Sequence, residues 1–309
     1  MSNAYPPRIA IAAASEGSRL HQALRAASAG LSQQRARTLC DIGAVAIDGV
    51  RADSNVRVHA GDVVLCAVAD LELTLRLRLP VVHRSGGVLV LRKPPHLAVH
   101  AGPRVDDCVA DRLARALPGA GLAQRLDRHA SGLLLCGEHR DALAALGAAM
   151  EQGRIERHYL GIAAGRVDGD ERTIDLPLFV SDEPQGDRPK VVVDAARGQR
   201  AVTHLQVVAR ARDATLVRLR LETGRTHQIR AHLRAVGHPL LGDPRYGDAA
   251  ANAAAHRTHG VDRALLHCER LRLPALGSAP ACDVATSLEP DFARLFPQLR
   301  ARDRAGDAP

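Results

Sequence analysis

The segment that decides the fold runs Gln124-Arg125-Leu126-Asp127-Arg128-His129-Ala130-Ser131-Gly132-Leu133-Leu134-Leu135. Its carboxylate, Asp127, lies in a polar turn just before an apolar run that predicts a buried strand over residues 132–137. A carboxylate at the mouth of a core strand is rigidly held and partly removed from water, which suits a nucleophile. Most Asp residues in turns are caps or solvated carboxylates, so Asp127 alone identifies nothing.

A second polar segment, ETGRTHQIRAHL, occupies residues 222–233. Gly224 permits a sharp turn out of a predicted strand over 215–222, and Thr226 is a candidate cap for a helix over 226–235. Arg230 stands beside the apolar stripe of that helix, where its guanidinium can reach a carboxylate at the domain centre. Because a buried Arg needs such a partner and Asp127 needs a cation to stay ionised, the two segments are expected to meet.

The sequence contains no metal or cofactor motif. His227 and His232 are five residues apart without an intervening Glu, which differs from the zinc-binding His-Glu-x-x-His helix and leaves helix-surface or core hydrogen bonding as the simple reading. The six cysteines are scattered without a CxxC pair, so neither a zinc site nor a disulfide framework is indicated. We therefore expect neither metal nor cofactor.

Two further residues carry alternatives that the sequence leaves open. Tyr159 is one of only three tyrosines and lies in a predicted strand over 157–164, where it is either structural or stacks under a flipped base. Lys93 leaves a predicted strand over 88–92 and enters a Pro-stiffened loop. It lies either beside RNA or simply at the end of the strand.

Length and charge set broader limits. With 309 residues, the chain is long enough for about two domains. Its net charge of +8 comes mostly from Arg, which suits a polyanionic partner, although a basic but ordinary enzyme remains the alternative. The chain shows neither a signal-peptide pattern nor an apolar stretch of membrane-spanning length. We expect a soluble, cytoplasmic protein, monomeric by default.

The domain organisation predicted from turns and periodicity has four parts. Residues 1–17 are expected to be a flexible leader, and 301–309 a disordered tail. Residues 18–80 show two short helices (the second capped by Ser32 and ending at Asp41) and strands over 44–47, 55–58 and 63–68. Residues 70–86 are interpreted as a connector. A second domain over 85–300, with a further helix over 141–152, is predicted to be α+β with a mixed, mainly antiparallel sheet.

The first domain resembles the RNA-binding domain named for the fourth small-subunit ribosomal protein. The resemblance rests on Arg19-Leu20, Leu31-Ser32, Gly43-Ala44-Val45, Asp48-Gly49 and Gly61-Asp62. Four arginines of its helical part, with no acid between residues 17 and 40, are candidate RNA contacts: Arg19, Arg25, Arg35 and Arg37. A solvated basic face is the alternative reading.

The second domain resembles the RluA family of pseudouridine synthases. The segments around Lys93, Asp127, Tyr159 and Arg230 follow the family order of Lys-Pro, Arg-Leu-Asp, Lys-x-Tyr and Thr-Gly-Arg-x-His-Gln-Ile-Arg. The resemblance implies that Asp127 is the nucleophile and Arg230 its ion-pair partner. It further implies that Tyr159 stacks on the target uracil and takes part in proton removal at C5, that Arg125 fills the space left by the flipped uridine, and that Ile229 lines the base pocket.

The chain departs from the family pattern inside the same loops. Gln124 replaces a His, Ala130 replaces a Thr hydroxyl, His129 replaces an acid or amide, and Pro95-His96 alter the loop after Lys93. None of these changes removes the nucleophile, the arginine or the tyrosine, so an active enzyme is expected. The loss of the hydroxyl at Ala130 is expected to affect the rigidity of the loop.

The resulting hypothesis is an isomerase that converts uridine to pseudouridine in RNA, most plausibly large-subunit ribosomal RNA. Breaking and remaking the glycosidic bond needs no external group, in agreement with the missing cofactor motifs. Direct attack at C1′ and a glycal route are both compatible with the sequence. The competing hypotheses are a non-catalytic RNA-binding or ribosome-assembly protein on the same fold, and an aspartate-dependent hydrolase with His129 as its only nearby base.

Overall fold

The computed structural model describes residues 9–10, 15–28, 30–103, 105–184 and 189–300. The tail predicted for 301–309 and most of the leader predicted for 1–17 lie outside these ranges. Within them the chain folds as α+β, as expected, with a small N-terminal module in front of a larger domain built on one long sheet.

The N-terminal module packs two helices on a four-stranded sheet and encloses a core of its own, which includes Leu24, Leu39 and Val64. Its elements are α1 (Leu20–Ala27), α2 (Gln33–Asp41), β1 (Ile9–Ala10), β2 (Val45–Ile47), β3 (Val50–Arg51) and β4 (Val63–Cys66), with the strands in the order β1-β4-β2-β3. The Ser32 hydroxyl caps α2 as predicted, accepting a hydrogen bond from the Arg35 N–H at 3.2 Å.

Two expectations for this module were wrong. Ile9 and Ala10 pair with Val64 and Val63, so this part of the predicted leader belongs to the sheet. The predicted strand over 55–58 forms only an isolated antiparallel bridge, between Arg57 and Arg19, next to the start of α1, where the Leu20 N–H donates to the Val56 carbonyl at 2.8 Å. The backbone groups of this segment are satisfied by the residues that lead into the helix, so the pairing does not extend into a ladder.

The predicted connector over 70–86 contains a helix and a strand, α3 (Leu71–Leu77) and β5 (Val81–Ser85). The alternating sequence of α3, LELTLRL, has the period of a strand, yet Asp70 caps a helix by accepting from the Leu73 N–H at 2.9 Å. Leu71 packs in the core of the N-terminal module, whereas Leu73 and Leu77 pack in the core of the larger domain. The helix therefore spans the boundary between the two cores.

The larger domain is organised around one sheet in which the strand order is β10-β13-β14-β9-β15-β8-β6-β5, with β16 beside β15 and β7 beside β8. Every pairing is antiparallel except that of β8 with β15. A separate hairpin joins β11 to β12. The strands not yet given are β6 (Val88–Lys93), β7 (Gly121–Leu122), β8 (Ser131–Gly137), β9 (Glu156–Ala164), β10 (Glu171–Asp175), β11 (Leu178–Pro184), β12 (Pro189–Val193), β13 (Val202–Arg210), β14 (Ala214–Leu221), β15 (Leu266–Leu273) and β16 (Cys282–Ala285).

Five helices flank the sheet: α4 (Val109–Ala116), α5 (Arg140–Glu151), α6 (Gln228–Ala235), α7 (Ala249–His259) and α8 (Pro290–Leu295), followed by a short 3-10 helix, Pro297–Arg300. Because aromatic residues make up only 2% of the chain, the core is mainly Leu, Val and Ile. Among the described residues, no helix combines the length and apolar character needed to span a membrane.

The sheet places Asp127 in the loop between β7 and β8, at the centre of the domain. Gly132, the second residue of β8, has a φ of +106°, and a Cβ there would lie 2.2 Å from the Cys268 carbonyl oxygen of β15. Only glycine allows this approach of the two strands. Tyr159 of β9 is in register with Cys268 on one side and Leu219 of β14 on the other. The Asp127 loop and Tyr159 are thereby brought to the same part of the sheet.

A buried ionic cluster fixes the N-terminal module to the larger domain. Glu289 is 2% exposed and accepts from Arg92 of β6 at 2.6 Å and from Arg51 of β3 at 3.0 Å. Arg92 also donates to the Gly43 carbonyl at 2.9 Å, and the Arg51 N–H donates to the Leu288 carbonyl at 2.8 Å. The Glu289 carboxylate therefore pairs with one cation of the N-terminal module, Arg51, and one of the larger domain, Arg92.

Replacing Glu289 with Ala is expected to lower the free energy of unfolding by about 3–5 kcal/mol, because Arg92 is left buried without its carboxylate. Denaturant titration measures this loss. The matched control is Glu72→Ala, whose carboxylate pairs with the exposed Arg35 at 2.9 Å and should contribute less than about 1 kcal/mol. Equal small losses in the two variants would contradict the assigned role of Glu289.

Candidate active site

Asp127 and Arg230 meet as the two sequence segments predicted. Nη1 of Arg230 donates to a carboxylate oxygen of Asp127 at 2.8 Å. The Arg230 side chain is 7% exposed and that of Asp127 is 28% exposed. The carboxylate therefore faces a cavity while its cation lies behind it in the protein.

Asp243 completes the ion network and was not among the residues singled out from the sequence. It accepts from Nε of Arg230 at 2.6 Å and from Nη2 at 2.8 Å, and its side chain is fully buried. Burial alone would lower the pKa of Arg230, but the carboxylates of Asp243 and Asp127 raise it instead. Burial alone would raise the pKa of the Asp243 carboxyl, but Arg230 and two backbone N–H groups outweigh it and lower that pKa. The guanidinium is thus held permanently charged and in one orientation.

The helix that carries Arg230 begins later than predicted. Its first residue is Gln228, and His227 is the N-cap in a left-handed conformation with a φ of +52°. Thr226 does not cap it. Instead, the Gln228 side chain folds back, accepting from the Thr223 hydroxyl at 2.8 Å and from the Arg225 N–H at 2.9 Å. This arrangement turns the His227 ring towards the site.

His227 lies beside the carboxylate, with Nε2 3.7 Å from an Asp127 oxygen and Nδ1 3.0 Å from the Tyr246 hydroxyl. Burial lowers the pKa of His227, and the Asp127 charge only partly opposes that effect. The ring is therefore neutral near neutral pH. It limits access to one side of Asp127 without adding a second charge.

A cavity of about 240 Å³ opens in front of Asp127. It is lined by all five residues that the resemblance placed in the catalytic centre: Asp127, Arg230, Tyr159, Arg125 and Ile229. This volume lies just below the usual range for ligand pockets and suits one base better than a folded RNA segment. The five residues come from the loop after β7, from β9 and from α6.

Tyr159 is 5% exposed and presents its ring to the cavity. Burial raises the pKa of its phenol, and the neighbouring Cys268 thiol raises it further. A phenol with a raised pKa stays protonated near neutral pH. The ring lies at the cavity wall, where it can stack on a base as the resemblance implies.

Arg125 lies at the rim of this cavity. Its guanidinium is exposed, and Nη2 donates to the Thr226 hydroxyl at 3.1 Å. The side chain is long and faces solvent, as a group that enters RNA must. Ile229, in contrast, is 4% exposed and forms part of the apolar wall.

Lys93 does not face RNA, so the expectation of an RNA contact there was wrong. The residue is fully buried, and Nζ donates to the carbonyls of Pro94, Leu97 and Arg128 at 2.9, 2.9 and 3.2 Å. Burial lowers its pKa to about 7. The Pro-rich loop folds back over the amine, and one of the three carbonyls belongs to the Asp127 loop. Lys93 thus supports that loop from inside the domain.

The unusual residues of the Asp127 loop are accommodated by its backbone. The Ala130 N–H donates to the Asp127 carbonyl at 3.1 Å, closing the turn without a side-chain hydroxyl. The His129 carbonyl accepts from Nη1 of Arg263 at 3.0 Å. Arg263 is itself 1% exposed and paired with Asp291 at 2.6 Å. The loop is therefore fixed through main-chain groups that do not depend on the side chain at 130.

The Gln124 side chain is buried and donates to the Leu133 carbonyl at 3.1 Å, which attaches the start of the loop to β8. The His129 ring packs edge-on against His96 with centroids 5.6 Å apart. Neither side chain forms a hydrogen bond with Asp127 among the described residues. The departures from the family pattern at Gln124 and His129 thus change the packing around the loop and not the hydrogen bonds of Asp127.

The four candidate arginines in the helical part of the N-terminal module are all exposed, as an RNA-facing role requires. Arg35 pairs with Glu72 at 2.9 Å, Arg37 lies 3.9 Å from Asp41, and Arg19 donates to the Asn55 side chain. Arg25 makes no ion pair with any part of the chain that the structure describes. None of the four lines the Asp127 cavity.

Across the described ranges, no three His, Cys, Asp or Glu side chains are grouped so that they could hold a metal ion. His227 and His232 point to different partners. His232 is fully buried between the Thr203 hydroxyl and the Leu176 carbonyl, each 2.9 Å away. His232 therefore makes the core hydrogen bonds that the sequence offered as the simple alternative to a metal site.

Comparison with known proteins agrees with this geometry. A family model described as RNA pseudouridylate synthase matches residues 87–235, the range that supplies every residue lining the cavity except Leu266. The chain is 34% identical over 303 residues to the ribosomal large subunit pseudouridine synthase D of Vibrio vulnificus (strain CMCP6), covering 92% of this chain and 91% of that protein. The chain belongs to the RluA family of RNA pseudouridine synthases. It is thus an isomerase that converts uridine to pseudouridine in RNA.

Other relatives of this RluA-family enzyme show the same extent of similarity. The ribosomal large subunit pseudouridine synthase C of Salmonella typhi is 29% identical, over 95% of this chain and 97% of that protein. Among solved structures, human RNA pseudouridylate synthase domain containing 4 superposes with a TM-score of 0.59 at 22% identity, covering 74% of this chain and 96% of that one. The structural match confirms the pseudouridine synthase fold.

Proposed function

We propose that this enzyme modifies large-subunit ribosomal RNA and uses Asp127 as its nucleophile. The observation that carries the proposal is the placement of Asp127 on one cavity with Tyr159, where Nη1 of Arg230 donates to the Asp127 carboxylate at 2.8 Å. The choice of RNA is supported by the relatives from Vibrio vulnificus and Salmonella typhi, whose names refer to the ribosomal large subunit. We propose a cytoplasmic location on the same grounds.

In the proposed mechanism the target uridine leaves its stack, at a cost of a few kcal/mol. Arg125 enters the vacated space and Tyr159 stacks on the extruded base, which together offset that cost. Asp127 either attacks C1′ or assists the glycal route. In both routes the bond from C1′ to N1 breaks, the uracil turns, and C5 bonds to C1′ while its proton is lost.

The test is release of tritium from RNA labelled at C5 of uridine, since that hydrogen is lost when C5 bonds to C1′. Purified protein is incubated with transcripts of large-subunit and of small-subunit ribosomal RNA. We expect release from the former and little from the latter. Equal release from both would overturn the choice of RNA. Tight binding without release from either would favour the non-catalytic RNA-binding alternative.

We propose that the exposed arginines of the N-terminal module contact RNA phosphates. Replacing Arg25 and Arg37 with Gln is expected to weaken RNA affinity. It should also make the slope of log affinity against log salt concentration shallower by about 0.7–0.9 per lost phosphate contact. Filter binding over a range of salt concentrations measures both. The control replaces Arg212 and Arg257, two exposed arginines of the larger domain, with Gln. Equal changes in salt slope for the two pairs would show a non-specific charge effect.

A further inference from the structure

Arg157 of β9 differs from the other buried arginines of the described chain. Arg92, Arg230 and Arg263 each have a carboxylate oxygen at 2.6 Å. Arg157 is 8% exposed and lines the Asp127 cavity, yet no Asp or Glu among the described residues forms an ion pair with it. Because a buried charge without a partner is strongly unfavourable, its missing partner is expected to arrive with the substrate.

The hydrogen bonds of Arg157 leave donors free. Nη2 donates to the Thr223 carbonyl at 3.2 Å, which holds the turn after β14. Nε is buried and has no acceptor, and Nη1 makes no hydrogen bond within the described ranges. One of five N–H groups is therefore used, whereas an arginine with a purely structural role would be expected to satisfy most of them.

Gly224 provides the space that Nη1 occupies. A Cβ at residue 224 would lie 2.7 Å from Nη1 of Arg157, and the two next-nearest atoms, each 3.6 Å away, also belong to that guanidinium. A substitution there would thus displace the end of this side chain without disturbing the backbone of another element. Gly224 and Arg157 both line the cavity, so the guanidinium lies at its wall.

The reaction supplies the partner that Arg157 lacks. When the bond from C1′ to N1 breaks, its electron pair goes to the uracil, and the negative charge spreads to carbonyl oxygens O2 and O4. Arg157 and Tyr159 are two apart on β9, so their side chains lie on the same face of the sheet. We propose that Arg157 is a catalytic residue that donates to a uracil carbonyl and stabilises the departing uracil anion. This inference rests on the proposed function of the Asp127 cavity.

The first test compares single-turnover tritium release and RNA affinity in Arg157→Met and in Gly224→Ala. For Arg157→Met we expect a rate loss of about 10²–10³-fold, the scale for removing one donor to a developing anion, with RNA affinity unchanged. Gly224→Ala keeps the charge but displaces it and should give a smaller loss in the same direction. The control is Arg154→Met, an exposed arginine outside the cavity, which should keep the parental rate.

A second test identifies the interaction itself by replacing O2 or O4 of the target uracil with sulfur, a weaker acceptor. The parent enzyme should be sensitive to sulfur at one of the two positions. Arg157→Met should lose this extra sensitivity, because the interaction has already been removed. The altered acidity of the thiouracil affects both enzymes alike, so it cancels in this comparison.

Each outcome decides the role of Arg157. Parental rates in Arg157→Met and Gly224→Ala would overturn the proposal. It would also be overturned if sulfur at O2 or at O4 lowered the rate of the parent and of Arg157→Met by the same factors. If Arg157→Met does not fold, Gly224→Ala with the two thio substrates gives the same decision. Failure of the proposed function is distinguishable, since the parent itself would then release no tritium.

Discussion

Asp127→Asn is expected to abolish pseudouridine formation while leaving RNA binding intact. The amide is the same size as the carboxylate but is neutral and not nucleophilic, so the single-turnover rate should fall on the order of 10⁴-fold or more. Arg230 keeps its two hydrogen bonds to Asp243, so the fold should be retained. Tritium release from C5-labelled RNA and filter binding measure the two properties separately.

The matched control for this variant is Asp213→Asn, since that carboxylate is 89% exposed on the surface and does not line the cavity. It should keep the parental rate. A substantial rate in Asp127→Asn would remove Asp127 from the reaction. Loss of rate together with an equal loss of RNA affinity would assign Asp127 a role in binding only.

Asp243→Ala is expected to have the second largest effect. It leaves Arg230 buried with only the partly exposed Asp127, and it removes the acceptor of the Arg245 and Tyr246 N–H groups at 2.9 and 3.0 Å. A loss of about 3–5 kcal/mol in the free energy of unfolding should result. At temperatures where the variant is folded, catalysis should also fall on the order of 10²-fold, because Arg230 no longer orients Asp127.

Denaturant unfolding and single-turnover kinetics measure the two effects of Asp243→Ala. The control is Asp248→Ala, which removes the N-cap of α7, a hydrogen bond of 2.8 Å to the Ala251 N–H, and should cost about 1 kcal/mol without a change in rate. If Asp243→Ala loses stability but keeps the parental rate, Asp243 is structural and does not orient the catalytic pair.

Acid unfolding gives an independent view of Asp243. Its folded pKa lies below the ordinary value of 3.8, because Arg230 favours the ionised form. Its contribution to stability is therefore complete above about pH 3.8 and is lost as the pH falls further, through the folded pKa. In Asp243→Ala the stability should depend less on pH in this acid range than in the parent.

The pairing of Asp127 with Arg230 could be predicted from the sequence because each residue lies in a distinctive turn beside an apolar element. Asp243 was missed because a single Asp after Leu240, Leu241 and Gly242 resembles any turn residue. Its burial depends on how α6 packs over the sheet. The signal available was an acid one glycine after an apolar pair, which is weak on its own.

Other differences arise from contacts between distant parts of the chain. The sequence left open whether Lys93 contacts RNA or simply ends a strand, and carbonyls from its own loop and from the Asp127 loop enclose its amine. The period of α3 resembles a strand, but Asp70 caps it and its leucines enter two cores. The Arg92–Glu289 pair joins residues 197 positions apart, a separation that local patterns do not reveal.

The most direct test of the central claim is a map of pseudouridines in large-subunit ribosomal RNA from cells that contain or lack this protein. We predict that one or more positions are modified only when the protein is present. The parental gene should restore them and the Asp127→Asn gene should not. An unchanged map, or full restoration by Asp127→Asn, would contradict the claim that this cavity forms pseudouridine in that RNA through Asp127.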